Sequence, residues 1–348
     1  MRPRPRIALI GCGRIGQIHL RSLISIPDRC QLAAIADLHE PAVRTCAETY
    51  GIENWSTDVG TIFNDPSIDA VIISSSTETH GPFIAEAARV GMDAFTEKPI
   101  ALDLAATDTA LAAVRQAGTR LQIGFQRRFD SGYRATRNAI ENGELGSIEF
   151  IRDAMRDPEP PPLAYTERSG GLYRDMAIHN LDCVRWLTGA DPVEIFATGS
   201  VLVSPEIASF GDIDTSVITL RFADGALATI ENSRRSGFGY DVRTEVFGSD
   251  GAIFVGESRA TPVRTYRNGV HEDHQHFFLD RFGQAFRTEL ESFVGAIAND
   301  MPVAVTGEDG RAALLLAYAA EASRLRNAPV KIADIANDHQ KEVIDATA

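Results

Sequence analysis

Lysine is nearly absent from this chain of 348 residues. Of its 34 basic residues, 31 are Arg and three are Lys, at positions 98, 331 and 341. Arg stays charged, whereas a Lys amine can lose its proton when it is desolvated. The predicted strand Asp93–Thr96 leads into Glu97-Lys98-Pro99, so Lys98 stands at a strand end. It is therefore a candidate for proton chemistry or alkoxide stabilisation, and the alternative is a solvent-facing cation.

Long apolar segments and an excess of positive charge are also missing. The longest apolar run, Ala312–Ala320, has nine residues, and a bilayer span needs about 20. The basic N-terminus leads into a short strand rather than a signal-peptide core. A formal net charge of -14 opposes binding to nucleic acid or to anionic membranes. We expect a cytoplasmic protein with neither partner, long enough for two domains.

Cysteine is scarce, and no metal-binding pattern is evident. The four cysteines, at 12, 30, 46 and 183, include no Cys-x-x-Cys pair, which predicts reduced, mostly buried thiols. The segment from His271 to His276 contains metal-capable side chains, but it follows a hairpin signal and lacks helical spacing. We predict a solvated loop there, or one lying over a pocket, and no metal.

A glycine pattern follows the first predicted strand. Residues 11–16 read Gly-Cys-Gly-Arg-Ile-Gly and lead into a helix. Gly11, Gly13 and Gly16 permit a tight turn and close backbone approach to a pyrophosphate, and the helix start at Arg14 and Ile15 presents free N–H groups. Asp37 ends the second strand, 21 residues after Gly16. Its carboxylate suits ribose hydroxyls and repels a 2′-phosphate, so NAD is favoured over NADP. The alternative is that Asp37 only caps the helix that starts near Pro41.

Strands and helices continue to alternate through the first part of the chain. This pattern predicts a doubly wound parallel sheet, and we assign residues 1–125 to a nucleotide-binding Rossmann domain. The strand ends at 11–16, 74–80 and 97–99 should lie at one edge of the sheet, with Lys98 near the nicotinamide end. The predicted helices are 42–50, 82–90 and 103–117, and the later strands are 70–74, 93–96 and 121–125.

The remainder, residues 126–348, has a different pattern. Hairpin signals occur at Asp224-Gly225, Asp250-Gly251 and Asn268-Gly269. Residues 217–222 alternate apolar and polar side chains, which indicates a strand with one buried face. Thr306–Asp309 forms a capping-box pattern before a long helix. We predict an α+β domain with a mostly antiparallel open sheet.

One helix in this second part combines acidic residues with histidine. A regular helix over Gly171–Leu187 would place Asp175, His179 and Asp182 on one stripe, at i, i+4 and i+7. A carboxylate beside His fixes its tautomer and raises its basicity, so His179 is a candidate general base. The alternative is a solvated helix face with an ion pair.

Together these motifs resemble the glucose-fructose oxidoreductase, inositol dehydrogenase and MocA family over essentially the whole chain. The glycine pattern, Asp37, Glu97-Lys98-Pro99 and Asp175-x-x-x-His179 carry the resemblance. Further likeness to inositol 2-dehydrogenases lies in residues 124–133, 239–241, 248–251 and 281–282.

The resemblance implies a Rossmann domain, an open sheet used in oligomerisation, with a tetramer favoured over a dimer, and a set of site residues. Gln126 stands where Met is familiar, and Met155 stands where a substrate-facing His is familiar, so the particular polyol stays open. The implied catalytic residues are Lys98, Asp175 and His179, the implied polyol contacts are Arg127, Asp182 and Tyr240, and the implied nucleotide contacts are Ser75, Thr77, His80 and Glu97.

We therefore expect NAD-dependent oxidation of a secondary alcohol on a cyclic polyol, most plausibly myo-inositol at its 2-position. His179 takes the hydroxyl proton, Lys98 stabilises the oxygen, and hydride passes to nicotinamide. The alternatives are a scyllo-inositol or aldose dehydrogenase on the same scaffold, or a catalytically silent NAD-binding regulator.

Overall fold

The computed structural model describes residues 4–256, 259–266 and 268–347. Contacts divide the chain into two compact units. The first comprises the chain up to Phe129 together with Gln284–Arg311, and the second comprises Asp130–Gly283 and the chain from Ala312 onward. The predicted fold class is confirmed, since the first unit contains a parallel sheet and the second a mostly antiparallel one. The predicted domain boundary after residue 125 stays a prediction.

The first unit is built on a six-stranded sheet in the order β3-β2-β1-β4-β5-β6. All of its pairings are parallel, and the strand order reverses direction between β1 and β4. Ligands of open α/β sheets bind at such a switch point. The strands are β1 (Arg6–Ile10), β2 (Gln31–Ala36), β3 (Trp55–Ser56), β4 (Ala70–Ile73), β5 (Asp93–Glu97) and β6 (Leu121–Gly124).

Five helices connect these strands, and their ends follow the sequence signals closely. Asp103 accepts a hydrogen bond from the Ala106 amide as the N-cap of α5, and Gly51 and Gly118 end α2 and α5 in the left-handed conformation. The predicted helix start at Pro82 is wrong, because α4 begins at Thr77 and accommodates the proline inside. The helices are α1 (Arg14–Ile24), α2 (Glu40–Tyr50), α3 (Gly60–Phe63), α4 (Thr77–Arg89) and α5 (Leu104–Ala117).

The second unit contains a seven-stranded sheet in the order β12-β11-β7-β10-β9-β8-β15. The β7–β10 pair is parallel and the others are antiparallel. A separate pair, β13 and β14, is also antiparallel. The strands are β7 (Ile148–Arg156), β8 (Pro192–Ser200), β9 (Thr215–Phe222), β10 (Leu227–Ser233), β11 (Asp241–Gly248), β12 (Gly251–Val255), β13 (Arg259–Tyr266), β14 (Val270–His274) and β15 (Val330–Lys331).

All three hairpin predictions are confirmed, at the turns β9–β10, β11–β12 and β13–β14. In β9 the apolar residues Ile218, Leu220 and Phe222 are buried, as the alternating pattern predicts. The loop predicted for His271–His276 is wrong for residues 271–274, because the turn returns the chain as β14, where Glu272 pairs with Arg259.

Two of the remaining helices belong partly to one compact unit and partly to the other. α9 changes unit between Gly283 and Gln284, and α10 does so between Arg311 and Ala312. The capping box before α10 is confirmed, with reciprocal hydrogen bonds between Thr306 and Asp309. These helices are α6 (Ser131–Glu141), α7 (Leu163–Thr166), α8 (Ile178–Thr188), α9 (Phe278–Asn299), α10 (Gly307–Arg326) and α11 (Ile332–Thr347).

Within the described residues, no helix combines the length and apolar character that a membrane crossing requires.

Candidate active site

The three glycines of the first turn have different surroundings. Gly11 has φ +96°, and a Cβ there would lie 2.5 Å from the Ser75 amide nitrogen. A Cβ on Gly16 would lie 1.9 Å from the Gly11 carbonyl oxygen. At Gly13 a Cβ would meet no heavy atom of the described residues within 4 Å. Gly11 and Gly16 thus permit tight packing, while the backbone at Gly13 leaves space for a phosphate at the start of α1.

Asp37 lies directly after β2 and beside this turn. Its carboxylate accepts hydrogen bonds from the backbone amides of Cys12 at 2.6 Å and His39 at 2.8 Å. These bonds fix the half-buried carboxylate where the β1 and β2 strands end. An anion held in this position can accept hydrogen bonds from ribose hydroxyls and repels a 2′-phosphate. The chemistry of the turn and of Asp37 fits NAD.

The ends of β4 and β5 lie side by side in the sheet. His80 is buried, and its ring nitrogens lie 2.8 Å from the Pro99 carbonyl oxygen and 3.1 Å from the Ser75 carbonyl oxygen. Burial lowers the pKa of His80. A neutral imidazole donates through one nitrogen only, so His80 connects the two strand ends through one of these carbonyls. The expected nucleotide contacts of Ser75, Thr77 and His80 stay predictions.

Lys98 is half-buried and follows the last residue of β5. The preceding Glu97 is buried, and its carboxylate lies 2.7 Å from the Nε2 atom of His19. Gly124, at the end of β6, leaves room for it, since a Cβ there would lie 3.0 Å from a Glu97 oxygen. Glu97 is therefore fixed from within the first unit, immediately before the predicted catalytic lysine.

A second acidic side chain, Glu289, completes a buried cluster with His19 and Glu97. One potential ligand atom from each lies within 4.8 Å of the others. Glu289 is fully buried, and neither carboxylate oxygen has a hydrogen-bond partner among the described residues. The 2.7 Å separation of His19 and Glu97 is a hydrogen-bond distance, shorter than the roughly 3.3 Å between two ligands of a tetrahedral zinc ion. This geometry fits a His19–Glu97 hydrogen bond beside a buried Glu289 better than a metal centre.

In the second unit, the helix with the predicted base departs from regular α-geometry. Tyr173–Ala177 form a π-helical turn, and α8 continues directly from it. The prediction of a regular helix over residues 171–187 is therefore wrong in this turn, and Asp175 does not share the simple i, i+4, i+7 stripe. Such turns occur frequently at functional sites. His179 is half-buried on α8, and Asp182 follows it three residues later, 1% exposed.

The carboxylate of Asp175 is held by two side chains that no sequence pattern identified. Tyr165 donates its hydroxyl to one oxygen at 2.8 Å, and Arg234 donates to the other at 2.9 Å. Tyr165 lies on the preceding short helix α7, and Arg234 is 59 residues from Asp175 in the sequence. These contacts give a physical reason for the departure from regular helix geometry at Asp175.

A buried polar network joins the same helix to strands of the second unit. Asp153 of β7 accepts hydrogen bonds from Asn180 at 2.8 Å and from Thr244 at 2.7 Å. Asn180 in turn accepts a hydrogen bond from Asn232, and Tyr133 bonds to Thr244. Because Asn180 follows His179, this network fixes the position of the predicted base on α8.

The residues expected to contact polyol are all buried. Arg127 is 2% exposed and Tyr240 is 8% exposed, with the ring of Tyr240 packed against Phe278 and Phe282. Met155, at the position that departs from the familiar pattern, is buried on β7. The roles of Arg127, Asp182 and Tyr240 in substrate binding stay predictions.

Family models match both parts of the chain. The NAD-binding Rossmann-fold model of the GFO/IDH/MocA oxidoreductase family matches residues 5–125, and the model of the GFO/IDH/MocA C-terminal domain matches residues 133–254.

Individual relatives match over nearly the full length. A myo-inositol 2-dehydrogenase from Thermotoga maritima is 42% identical, over 95% of this chain and 99% of its own. An inositol 2-dehydrogenase from Rhizobium meliloti is 39% identical, over 94% and 99%. The crystal structure of a scyllo-inositol dehydrogenase from Lactobacillus casei, with bound NAD(H) and scyllo-inositol, is 29% identical with a TM-score of 0.88, over 95% of this chain and 100% of that one.

Proposed function

Because the chain belongs to the GFO/IDH/MocA oxidoreductase family, we propose that it is an NAD-dependent dehydrogenase that oxidises a secondary hydroxyl of a cyclic polyol. Myo-inositol, oxidised to the 2-keto-inositol, is the proposed substrate. The full-length similarity to inositol 2-dehydrogenases carries this proposal. The glycine turn and Asp37 support NAD as the cofactor, since they combine phosphate space with a fixed carboxylate.

The proposed catalytic residues are Lys98, Asp175 and His179. His179 accepts the proton of the reacting hydroxyl as general base, and Asp175 fixes the helical turn that precedes it. Lys98 donates a hydrogen bond to the same oxygen and stabilises its developing negative charge. NAD, when bound, accepts the hydride from the ring carbon. The proton and hydride together account for the two electrons and two hydrogens that the alcohol loses.

The cofactor contacts follow the same proposal. The backbone of residues 11–16, including Arg14 and Ile15, binds the pyrophosphate, and Asp37 binds the adenosine ribose. Ser75, Thr77, His80 and Glu97 contact the nucleotide near the strand ends. Arg127, Asp182 and Tyr240 bind the polyol hydroxyls.

The substrate is tested by measuring NADH formation at 340 nm across inositol isomers and aldoses, with NAD and with NADP. Strong turnover of myo-inositol with NAD supports the proposal, and preference for scyllo-inositol or an aldose replaces the substrate within the same scaffold. Gln126 and Met155 mark the positions at which the pocket departs from the familiar pattern. Tight NAD binding without turnover of any polyol would instead indicate a regulator.

We also propose a cytoplasmic homo-oligomer, with a tetramer favoured over a dimer. Large apolar side chains lie exposed on the strands of the second unit, including Val217, Leu227 and Phe254, and such surfaces commonly mark interfaces. The four cysteines are buried thiols, which suits a reducing compartment. Light scattering coupled to size-exclusion chromatography measures the assembly, and a monomer at micromolar concentration contradicts it.

A further inference from the structure

Asp175 is joined to a buried ion-pair network within the second unit. Arg234, 3% exposed, donates to one Asp175 oxygen at 2.9 Å and lies 3.5 Å from a carboxylate oxygen of Asp157. Tyr165 donates to the other Asp175 oxygen at 2.8 Å. A buried carboxylate whose two oxygens each accept a hydrogen bond from a different side chain is fixed in orientation.

The backbone that carries Arg234 is itself held in place. Arg234 follows β10, and its backbone amide donates to the Asp214 carbonyl oxygen at 2.8 Å. The Asp214 carboxylate accepts hydrogen bonds from the amides of Leu202, Val203 and Ser204. The strand end that presents Arg234 is therefore anchored independently of Asp175, so that Arg234 can position Asp175 rather than follow it.

Arg234 is the cation that lies between the carboxylates of Asp175 and Asp157. Burial alone would lower the pKa of Arg234, but Asp175 and Asp157 raise it, so the guanidinium stays cationic. Without that cation, two neighbouring carboxylates would remain in a buried region, which is costly. The other titratable groups on this helix include Arg174, which pairs with Glu321, and Tyr173, Asp182, Cys183 and Arg185. Those on the elements packed against it include Asp153 and Arg156 of β7, Glu231 of β10 and Tyr133 of α6.

We propose that Arg234 and Tyr165 are positioning residues of the reaction. They hold Asp175 in a fixed orientation in the π-helical turn, and the charge of Arg234 offsets the effect of the Asp175 carboxylate on the basicity of His179. Neither residue contacts the reacting atoms in this assignment. The proposal rests on the proposed function, in which His179 is the general base.

The test compares the pH profiles of kcat/KM for wild type, Arg234→Met, Arg234→Lys and Tyr165→Phe. Loss of the Arg234 charge should stabilise the imidazolium of His179 and raise the midpoint of the acid limb. The expected rise is about one pH unit, the low end of the pKa shifts that a neighbouring unit charge causes. Arg234→Lys should restore the wild-type midpoint, because it keeps the charge.

Tyr165→Phe removes one donor to Asp175 without changing a charge. It should lower kcat about fivefold, the effect of one hydrogen bond, with the KM for NAD unchanged. Arg152→Met is the matched control, since Arg152 pairs with Glu231 on the exposed side of β7. It should leave the profile unchanged. Thermal unfolding checks that each variant is folded, and Tyr165→Phe decides the outcome if Arg234→Met does not fold.

Two results would overturn the proposal. One is an acid-limb midpoint that Arg234→Met leaves at the wild-type value, and the other is wild-type kcat in Tyr165→Phe. Failure of the proposed function is distinguishable, because it shows as absence of NADH formation by the wild type with every polyol. In that case, NMR titration of the labelled His179 ring in wild type and Arg234→Met still measures the shift, and equal midpoints reject the positioning role.

Discussion

Glu289 is expected to be a neutral carboxylic acid in the folded protein. It is fully buried on α9, and both of its oxygens lack hydrogen-bond partners among the described residues. Burial, followed by the charge of Glu97, raises its pKa well above the ordinary value. The folded state therefore keeps a proton that the unfolded chain releases near pH 4.3. Stability is lost as the pH rises from that value towards the folded-state pKa.

The substitution Glu289→Gln isolates this effect, because Gln is nearly isosteric with the neutral acid and cannot ionise. One retained proton makes the unfolding free energy fall by about 1.4 kcal/mol for each pH unit between the two pKa values. Between the unfolded-state and folded-state pKa values of Glu289, the unfolding free energy of the wild type should fall relative to that of Glu289→Gln by about 1.4 kcal/mol for each pH unit. Below the unfolded-state pKa, the difference should be constant.

Urea denaturation of both proteins over a series of pH values measures the difference. Glu291→Gln is the matched control, since Glu291 lies on the same helix, pairs with Arg287 and is more exposed. Its pH dependence should follow that of the wild type. Parallel curves for wild type and Glu289→Gln would refute the reasoning, because they would show that Glu289 is ionised in both states or paired with a cation.

Three further substitutions test the two units separately. Gly16→Ala places a Cβ 1.9 Å from the Gly11 carbonyl oxygen; it should destabilise the protein by about 3 kcal/mol or more and abolish NAD binding, as measured by thermal unfolding and calorimetry. Asp37→Ala should weaken NAD binding about tenfold and reduce the ratio of NAD affinity to NADP affinity. A variant with the same affinity ratio as the wild type would contradict the assignment. Tyr133→Phe removes the hydroxyl that bonds to Thr244 and should cost about 1 kcal/mol in urea denaturation.

The elements of the first unit could be predicted because their signals are local. Gly11 and Gly16 occur where the backbone admits no side chain, and Asp103, Gly51 and Gly118 mark helix ends in the sequence itself. The inclusion of residues 284–311 in this unit had no local signal. It depends on contacts between distant residues, such as the packing of Leu290 and Phe293 with the core around Phe95.

The sequence identifies the residue types of the candidate site but not which side chains hydrogen-bond to them. Asp175 and His179 are recognisable as an acid and a base on one helix, whereas the partners of Asp175 are not. Tyr165 contacts it from the short helix α7 and Arg234 from the residue after β10. Helical periodicity carries no information about either contact. No sequence pattern marks His19 or Glu289 either, because each lies in an ordinary amphipathic helix.

Because of the π-helical turn at Tyr173–Ala177, we expect the number of residues in this segment to affect activity. A π turn contains one residue more than the α-helical turn it replaces. Deleting one residue would restore a regular helix and rotate everything before it by about 100° relative to His179. A related sequence that retains every site residue but has a gap in this segment would present a different face to its substrate. Among homologues, a one-residue gap here should therefore mark a change of specificity more reliably than a substitution does.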